Sequence, residues 1–209
     1  MDIIKALQEE LKIGRNQAEA AIKLIDEGNT IPFIARYRKE VTGALNDEVL
    51  RALDERLRYL RNLEEKKEQV LSSIQEQEKL TPELERQIQE AATLVAVEDL
   101  YRPYRPKRRT RATIAQEKGL GPLADMIALQ MTKEPLENLA KAYISEEKGV
   151  SDAKEAIAGA GDILAERISD EAKYRTHIRD VTMKQGTLQS MAKNEKEESV
   201  YEIYYNYEE

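Results

Sequence analysis

The chain has 209 residues and a formal net charge of -7, with 41% hydrophobic and 35% charged residues and no cysteine. The lack of cysteine excludes disulfide scaffolds and thiolate metal sites, and the acidic balance argues against nucleic-acid binding by the whole surface. The length suits one large domain or two small ones. Since the sequence has neither a membrane-length apolar run nor a signal-peptide pattern at its start, we expect a cytoplasmic protein.

Two short helices are predicted at the N-terminus. Asp2 is placed to cap the first, whose apolar residues recur at helical spacing up to Leu11, and Gly14 ends it. The second begins near Asn16 and ends before Gly28, where a left-handed cap residue is expected. The pair predicts a helix-turn-helix. This pattern fits both a DNA-binding element and an ordinary helical hairpin, and the hairpin is the more common.

Residues 30–45 read TIPFIARYRKEVTGAL and predict a short helix with Pro32 in its first turn, behind Thr30 or Ile31. Gly43 closes the segment. Three cations follow the apolar part: Arg36, Arg38 and Lys39. They fit either a structural role or phosphate contact, and we favour the structural role.

The longest predicted helix begins after Asn46 and contains neither glycine nor proline as far as Leu80. Leucines spaced three and four apart suit coiled-coil-like packing. The charged stretch 64–69 is predicted to project into solvent. Thr81 and Pro82 mark a restart, and apolar positions up to Val95 predict a return helix, so the two elements form a long antiparallel hairpin.

Further helices are predicted downstream, including an alanine-rich one capped by Ser151. Gly159 and Gly161 within it suggest a close approach of another helix. The last helix spans 170–184, and the acidic, tyrosine-rich tail could also be helical. We find no convincing strand pattern. The predicted class is all-α, with a helix-turn-helix-like N-terminal part and an elongated multi-helical part containing the long antiparallel hairpin.

The most basic run in this acidic chain is YRPYRPKRRTR, residues 101–111, which contains no acidic residue. Its six basic side chains are the candidate nucleic-acid contacts: Arg102, Arg105, Lys107, Arg108, Arg109 and Arg111. In this interpretation Tyr101 and Tyr104 stack on bases. In a structural interpretation the arginines bridge carboxylates such as Glu98 and Asp99. The neighbouring acids favour the structural interpretation, and phosphate contact stays open.

No residue pattern supports catalysis. The single histidine, His177, lies in a charged stretch, and nucleophile-elbow, zinc-protease and phosphate-loop motifs are missing from the sequence. Carboxylates are abundant but follow helix-surface spacing, which does not make an acid–base pair. We therefore expect a chain without enzymatic activity, cofactor or metal.

Three segments together resemble the N-terminal region of the bacterial Tex family of transcription accessory proteins. They are TIPFIARYRKEVTGAL, DLYRPYRPKRRTRATIAQEKGL and AGAGDILAERIS, and they occur in the family's order. The departures are small: Ala44 follows Gly43 where the family commonly has a second glycine, and Gly161 stands where arginine is usual.

The resemblance implies properties that composition alone does not. Family members are several-fold longer and continue into an RNase H-like YqgF domain, helix-hairpin-helix elements and an OB-fold RNA-binding module, so we expect this chain to be a fragment. They bind nucleic acid and are implicated in transcription, and much of the binding is expected in those other modules.

These observations lead to one functional hypothesis and one alternative. The hypothesis is a non-enzymatic scaffold region of a transcription accessory protein that binds RNA or DNA. The alternative is a protein-interaction module that docks on the transcription machinery, with RNA polymerase as a possible partner. The expected division of the chain is 1–45 helix-turn-helix-like, 46–100 helical hairpin, 101–193 helical part and 194–209 acidic tail.

Overall fold

The computed structural model describes residues 2–194, 196 and 198–209. The predicted all-α class is confirmed, because helices form nearly all of the regular structure in these residues. In chain order the helices are α1 Ile3–Leu11, α2 Arg15–Asp26, α3 Ile31–Tyr37, α4 Asp47–Glu76, α5 Pro82–Glu90, α6 Leu94–Tyr101, α7 Arg111–Glu117, α8 Gly121–Leu129, α9 Leu136–Lys141, α10 Ala153–Asp170 and α11 Ala172–Gln185. None of the described helices is long and apolar enough to cross a membrane.

The chain forms two compact units, of which the first ends at Tyr101 and the second begins at Arg102. In the first unit, the side chain of Asp2 accepts a hydrogen bond from the Lys5 amide and caps α1 as predicted. Gly28 has a positive φ of 84° after α2, which is the left-handed conformation expected there. Leu7 and Ile34 are fully buried against the first half of α4, so α1 to α3 share one core with that helix.

Helix α4 begins where the sequence predicts, since the side chain of Asn46 accepts from the Val49 amide at 2.8 Å. It ends earlier than predicted, at Glu76, and Glu78 turns the chain with a positive φ. At about 1.5 Å per residue, this helix is about 45 Å long. Its buried apolar stripe is Leu50, Leu53, Leu57, Leu60, Leu63, Val70 and Ile74.

The prediction that residues 64–69 project into solvent is wrong for Lys67, whose residue surface is only 5% exposed. Lys67 occupies the gap between Leu63 and Val70 in the buried stripe. Its ammonium donates to the Gln89 carbonyl oxygen at 2.8 Å and lies 2.9 Å from a carboxylate oxygen of Glu64. Because Gln89 lies in the last turn of α5, this cation satisfies a carbonyl that the helix leaves without an internal partner.

The return arm of the hairpin is shorter than predicted. Helix α5 runs back along α4 with Leu84 and Ile88 buried, but the chain becomes extended at Ala91. Helix α6 then follows α4 in the parallel direction. The Leu94 amide donates to the Tyr59 hydroxyl at 3.2 Å, and seven residues further along α6 the Tyr101 hydroxyl lies 2.9 Å from Ser73 Oγ. Val95, predicted on the buried face, is 46% exposed.

The second unit is built around α10, which contacts α7, α8 and α9. Gly159 lies where α10 meets Leu120 and Ala115, and a Cβ there would be 2.4 Å from Leu120 Cδ1. The predicted close approach is therefore found at this glycine. It is not found at Gly161, where a Cβ would have no neighbour within 4 Å.

The cap of α10 is Asp152 rather than the predicted Ser151, because the Asp152 side chain accepts from the Glu155 amide at 2.7 Å. Ser151 instead donates from its amide and its hydroxyl to the Glu155 carboxylate. The Lys118 ammonium, 2.7 Å from that carboxylate, and these Ser151 donors lower the pKa of Glu155 to about 2. This cluster ties the end of α7 to the first turn of α10.

The described part of the tail, 194–209, forms a short strand rather than an α-helix, and this strand pairs with another just before the tail. Strand β1, Gln189–Met191, pairs antiparallel with strand β2, Asn206–Glu208. A short 3₁₀ helix, Glu202–Tyr204, precedes β2. Glu195 and Glu197 of the acidic tail lie outside the described residues.

Candidate nucleic-acid interface

All six candidate basic residues belong to the second unit and line one groove. A 3₁₀ helix, Arg102–Tyr104, is followed by an irregular segment that ends at Thr110, and Arg111 begins α7. The opposite wall is the C-terminal half of α10, which contributes Asp162, Glu166 and Asp170. The groove has a volume of about 680 Å³. Six basic and three acidic side chains therefore line it.

Two of the six cations are held by one carboxylate. Arg102 Nε donates to Asp170 Oδ1 at 2.9 Å, and the Lys107 ammonium contacts Asp170 Oδ2. Lys107 also lies 3.2 Å from Glu166 Oε1. The Asp170 side chain is only 11% exposed. An acid at the C-terminus of a helix is unfavourable beside the helix dipole, so Asp170 depends on these two cations. The structural interpretation fits Arg102 and Lys107.

Two further cations form exposed ion pairs. Arg109 donates to Glu117 at 2.7 Å, and Arg111 lies 4.0 Å from Asp162. The side chains of these arginines are 69% and 87% exposed. Ion pairs between solvent-exposed side chains contribute little to the free energy of folding, and their cations remain accessible to another anion.

Arg105 and Arg108 differ from the other four. Both are exposed, and neither has an ion pair or hydrogen bond of its side chain to any described residue. They lie in the segment that Lys107 attaches to α10. The structure thus separates one basic run into anchoring cations and unpaired cations, a distinction that the sequence interpretations did not make.

The carboxylates that form ion pairs with the basic run in the second unit are Glu117, Asp162, Glu166 and Asp170. Glu98 lies 3.9 Å from Lys66 within the first unit, and Asp99 is buried in α6. Glu117 lies eight residues after its partner Arg109, whereas the three carboxylates of α10 lie about 50 to 70 residues further along the chain than their partners. One sequence signal could have identified them, because Asp162, Glu166 and Asp170 recur every four residues and thus share a face of α10.

The tyrosines of the run are half-buried rather than open stacking platforms. The hydroxyl of Tyr101 is held by Ser73 in the first unit, and Tyr104 is partly covered. His177 is exposed on α11. No group of three or more histidines, aspartates or glutamates suited to a metal ion is found in the described part of the chain.

Comparison with known proteins identifies the family to which this chain belongs. A profile of the Tex-like protein N-terminal domain matches residues 1–75, and a profile of the Tex central region matches residues 130–209. The chain belongs to the Tex family. The predicted resemblance to the N-terminal region of Tex is confirmed.

Individual Tex relatives extend far beyond the matched region. The transcriptional accessory protein Tex of Neisseria gonorrhoeae is 46% identical over 94% of this chain and 26% of its own length. The protein YdcI of Bacillus subtilis is 47% identical over 97% of this chain and 29% of its own length. A more distant relative, the human S1 RNA-binding domain-containing protein 1, is 27% identical over 99% of this chain and 21% of its own length.

Two of the three Tex segments meet at the groove. The segment 99–120 supplies the basic wall and α7, and the segment 158–169 forms the part of α10 that faces them. Gly161, which replaces the arginine usual in Tex, is exposed and has free space around it, so the departure does not disturb this contact.

Proposed function

We propose that this chain is a non-enzymatic helical scaffold region of a transcription accessory protein that binds nucleic acid, and that its basic groove contacts the phosphate backbone. The observation that carries the proposal is the pair of unpaired arginines, Arg105 and Arg108, in a segment fixed by its neighbours. The names of two relatives, a transcriptional accessory protein and an S1 RNA-binding domain protein, support the same ligand class.

Fixing the segment favours binding by lowering its entropic cost. Lys107 attaches the segment to α10, and Pro103 and Pro106 restrict its backbone. The backbone around Arg105 and Arg108 then needs little ordering when their side chains bind phosphate. A planar guanidinium also binds phosphate through two parallel hydrogen bonds, which an ammonium group cannot match.

Replacing both arginines, in Arg105→Ala/Arg108→Ala, is expected to weaken binding to a labelled single-stranded oligonucleotide. The log–log dependence of the binding constant on salt should become shallower by about 1.4, because each lost phosphate contact removes about 0.7 from the slope on single strands. A titration by fluorescence anisotropy at several salt concentrations measures this slope.

The matched control is Lys133→Ala/Lys154→Ala, which removes the same charge from exposed positions outside the groove. The salt dependence of its binding constant should have a slope close to that of the parent chain. Equal slopes for the two double variants would refute phosphate contact by the groove and leave only a general charge effect.

One observation favours the alternative function, a protein-interaction module on the transcription machinery. No residue of α11 is buried, and an apolar stripe on this helix faces solvent beside Ile168 of α10. Its members are Tyr174, Ile178 and Val181, which are 51%, 63% and 39% exposed. Exposed apolar patches of this kind mark contact surfaces for other proteins.

The alternative is tested with purified RNA polymerase and the immobilised chain, before and after nuclease treatment. If the chain docks directly, capture of RNA polymerase should persist after nuclease treatment. The affinity should fall at least about tenfold in Ile178→Glu, because a charge placed in an apolar contact costs more than about 1.4 kcal/mol. The control Met183→Glu changes an exposed apolar residue on another side of α11 and should bind as before. Capture that disappears with nuclease would contradict direct docking.

A further inference from the structure

Helix α3 presents an aromatic pair to solvent. The rings of Phe33 and Tyr37 lie 5.3 Å apart between centroids, at an interplanar angle of 46°. Phe33, the only phenylalanine of the chain, is 36% exposed, and Tyr37 is 61% exposed. Buried Ile34 fixes the helix to the core between them. The pair is therefore rigidly placed without being part of the core.

Two exposed arginines contact this pair, and exposed Lys39 follows them in the chain. Arg38 lies over the Phe33 ring with its guanidinium carbon 5.3 Å from the centroid, and the guanidinium carbon of Arg36 is 6.0 Å from the Tyr37 centroid. Neither arginine, nor Lys39 next to them, has a carboxylate partner in the described residues. The surface combines open aromatic area with uncompensated positive charge.

Arg56 is a cation of the first unit whose charge is paired with a carboxylate of the same unit. It also lies over a ring, 4.7 Å from the centroid of Tyr59, but it donates to both carboxylate oxygens of Glu10. Arg36, Arg38 and Lys39 have no such carboxylate partner among the described residues. One basic residue at the end of α3 is explained by its favourable interaction with the helix dipole. The dipole does not explain why the adjacent Tyr37 is mostly exposed to solvent.

We propose that this surface binds single-stranded nucleic acid, with an unpaired base stacked on Tyr37 and flanking phosphates bound by Arg36, Arg38 and Lys39. Stacking requires an exposed ring, and neighbouring cations track the backbone of the strand. Phe33, partly covered by Arg38, positions Tyr37. The ligand class is that of the proposed function, but the residues lie in the other unit, so either site can fail without the other.

The test compares two strands of equal charge on the 209-residue chain. One is a labelled oligothymidylate of about 12 nucleotides, within the range bound by single-strand sites, and the other is an abasic strand of the same length. Tyr37→Ala should weaken oligothymidylate binding about 5- to 150-fold, the range that corresponds to loss of one stacked base. Tyr37→Phe, which keeps the ring, should bind within about twofold of the parent chain. Abasic binding should be unchanged in both variants.

Three results would overturn the proposal. The first is no measurable binding of oligothymidylate, or equal binding by the parent chain and Tyr37→Ala. The second is an equal loss on the abasic strand, which would show that charge alone is recognised. The third is displacement of both strands by polyglutamate at equal charge concentration, which would identify an acidic protein as the ligand. Circular dichroism checks that Tyr37→Ala retains its helices.

The double variant Arg105→Ala/Arg108→Ala separates this site from the groove. If the α3 site exists, the difference between Tyr37→Ala and Tyr37→Phe persists in that background. If only the groove binds, the double variant loses affinity for both strands alike, and substitution of Tyr37 has no effect.

Discussion

Asp170→Ala is expected to lower the free energy of unfolding by about 2 kcal/mol and the melting temperature by about 4–10 °C. The carboxylate is nearly buried and accepts from both Arg102 and Lys107. Its removal leaves two cations without their shared anion. Because both cations are partly exposed, water recovers some of the loss, so the expected cost lies below that of a fully buried pair. Thermal unfolding followed by circular dichroism measures the change.

Asp162→Ala is the matched control because it makes the same replacement on the same face of α10. Its carboxylate is 36% exposed and lies 4.0 Å from Arg111, whose side chain is 87% exposed. This change should stay within about 0.5 kcal/mol. If the two variants had the same melting temperature, Asp170 would not be the attachment point of the basic segment.

Gly159→Val is expected to cost about 3 kcal/mol, a second large effect. Even a Cβ at this position would lie 2.4 Å from Leu120 Cδ1 and 3.3 Å from Ala115 Cβ. Both neighbours belong to the core of the second unit and are almost completely buried, so neither has space to withdraw. Overfilling a packed core forces side chains out of their rotamers or separates the helices. Denaturant unfolding measures the loss.

Gly161→Val provides the comparison, two residues along the same helix. A Cβ there would meet nothing within 4 Å, so only helix propensity changes, and valine is slightly better than glycine. We expect a change of less than about 0.5 kcal/mol. A similar loss at both glycines would mean that close packing at Gly159 is not the cause.

The features that sequence predicted well depend on residues three or four apart. The caps at Asp2, Asn46 and Thr81 are examples, because a side-chain oxygen accepts from an amide three residues later in each. The left-handed turn at Gly28 is equally local. Such interactions are decided by the chain itself before any tertiary contact forms.

The features that sequence missed depend on distant partners. Ala91 and Ala92 have high helix propensity, yet the chain is extended at Ala91 so that α6 can turn and follow α4. Arg102 and Asp170 are 68 residues apart, and nothing local to the basic run indicates that pairing. The division of the run into anchors and unpaired arginines therefore required the tertiary structure.

The prediction of solvent exposure is wrong for Lys67 for a different reason. Its charge suggested solvent exposure, whereas its spacing from Leu63 and Val70 placed it in the apolar stripe. Spacing was the better guide, because a long aliphatic stem fills a core position while the ammonium reaches a carbonyl.

A stripe of leucines has little to distinguish one axial position from the next, so a short helix packed on it could slide by a turn of about 5.4 Å and bury nearly the same area. Lys67 removes that freedom. After such a slide, the ammonium would no longer meet Gln89 O and would remain buried without this acceptor. The lysine thus sets the register of α5 on α4, and with it the point at which the chain turns into α6.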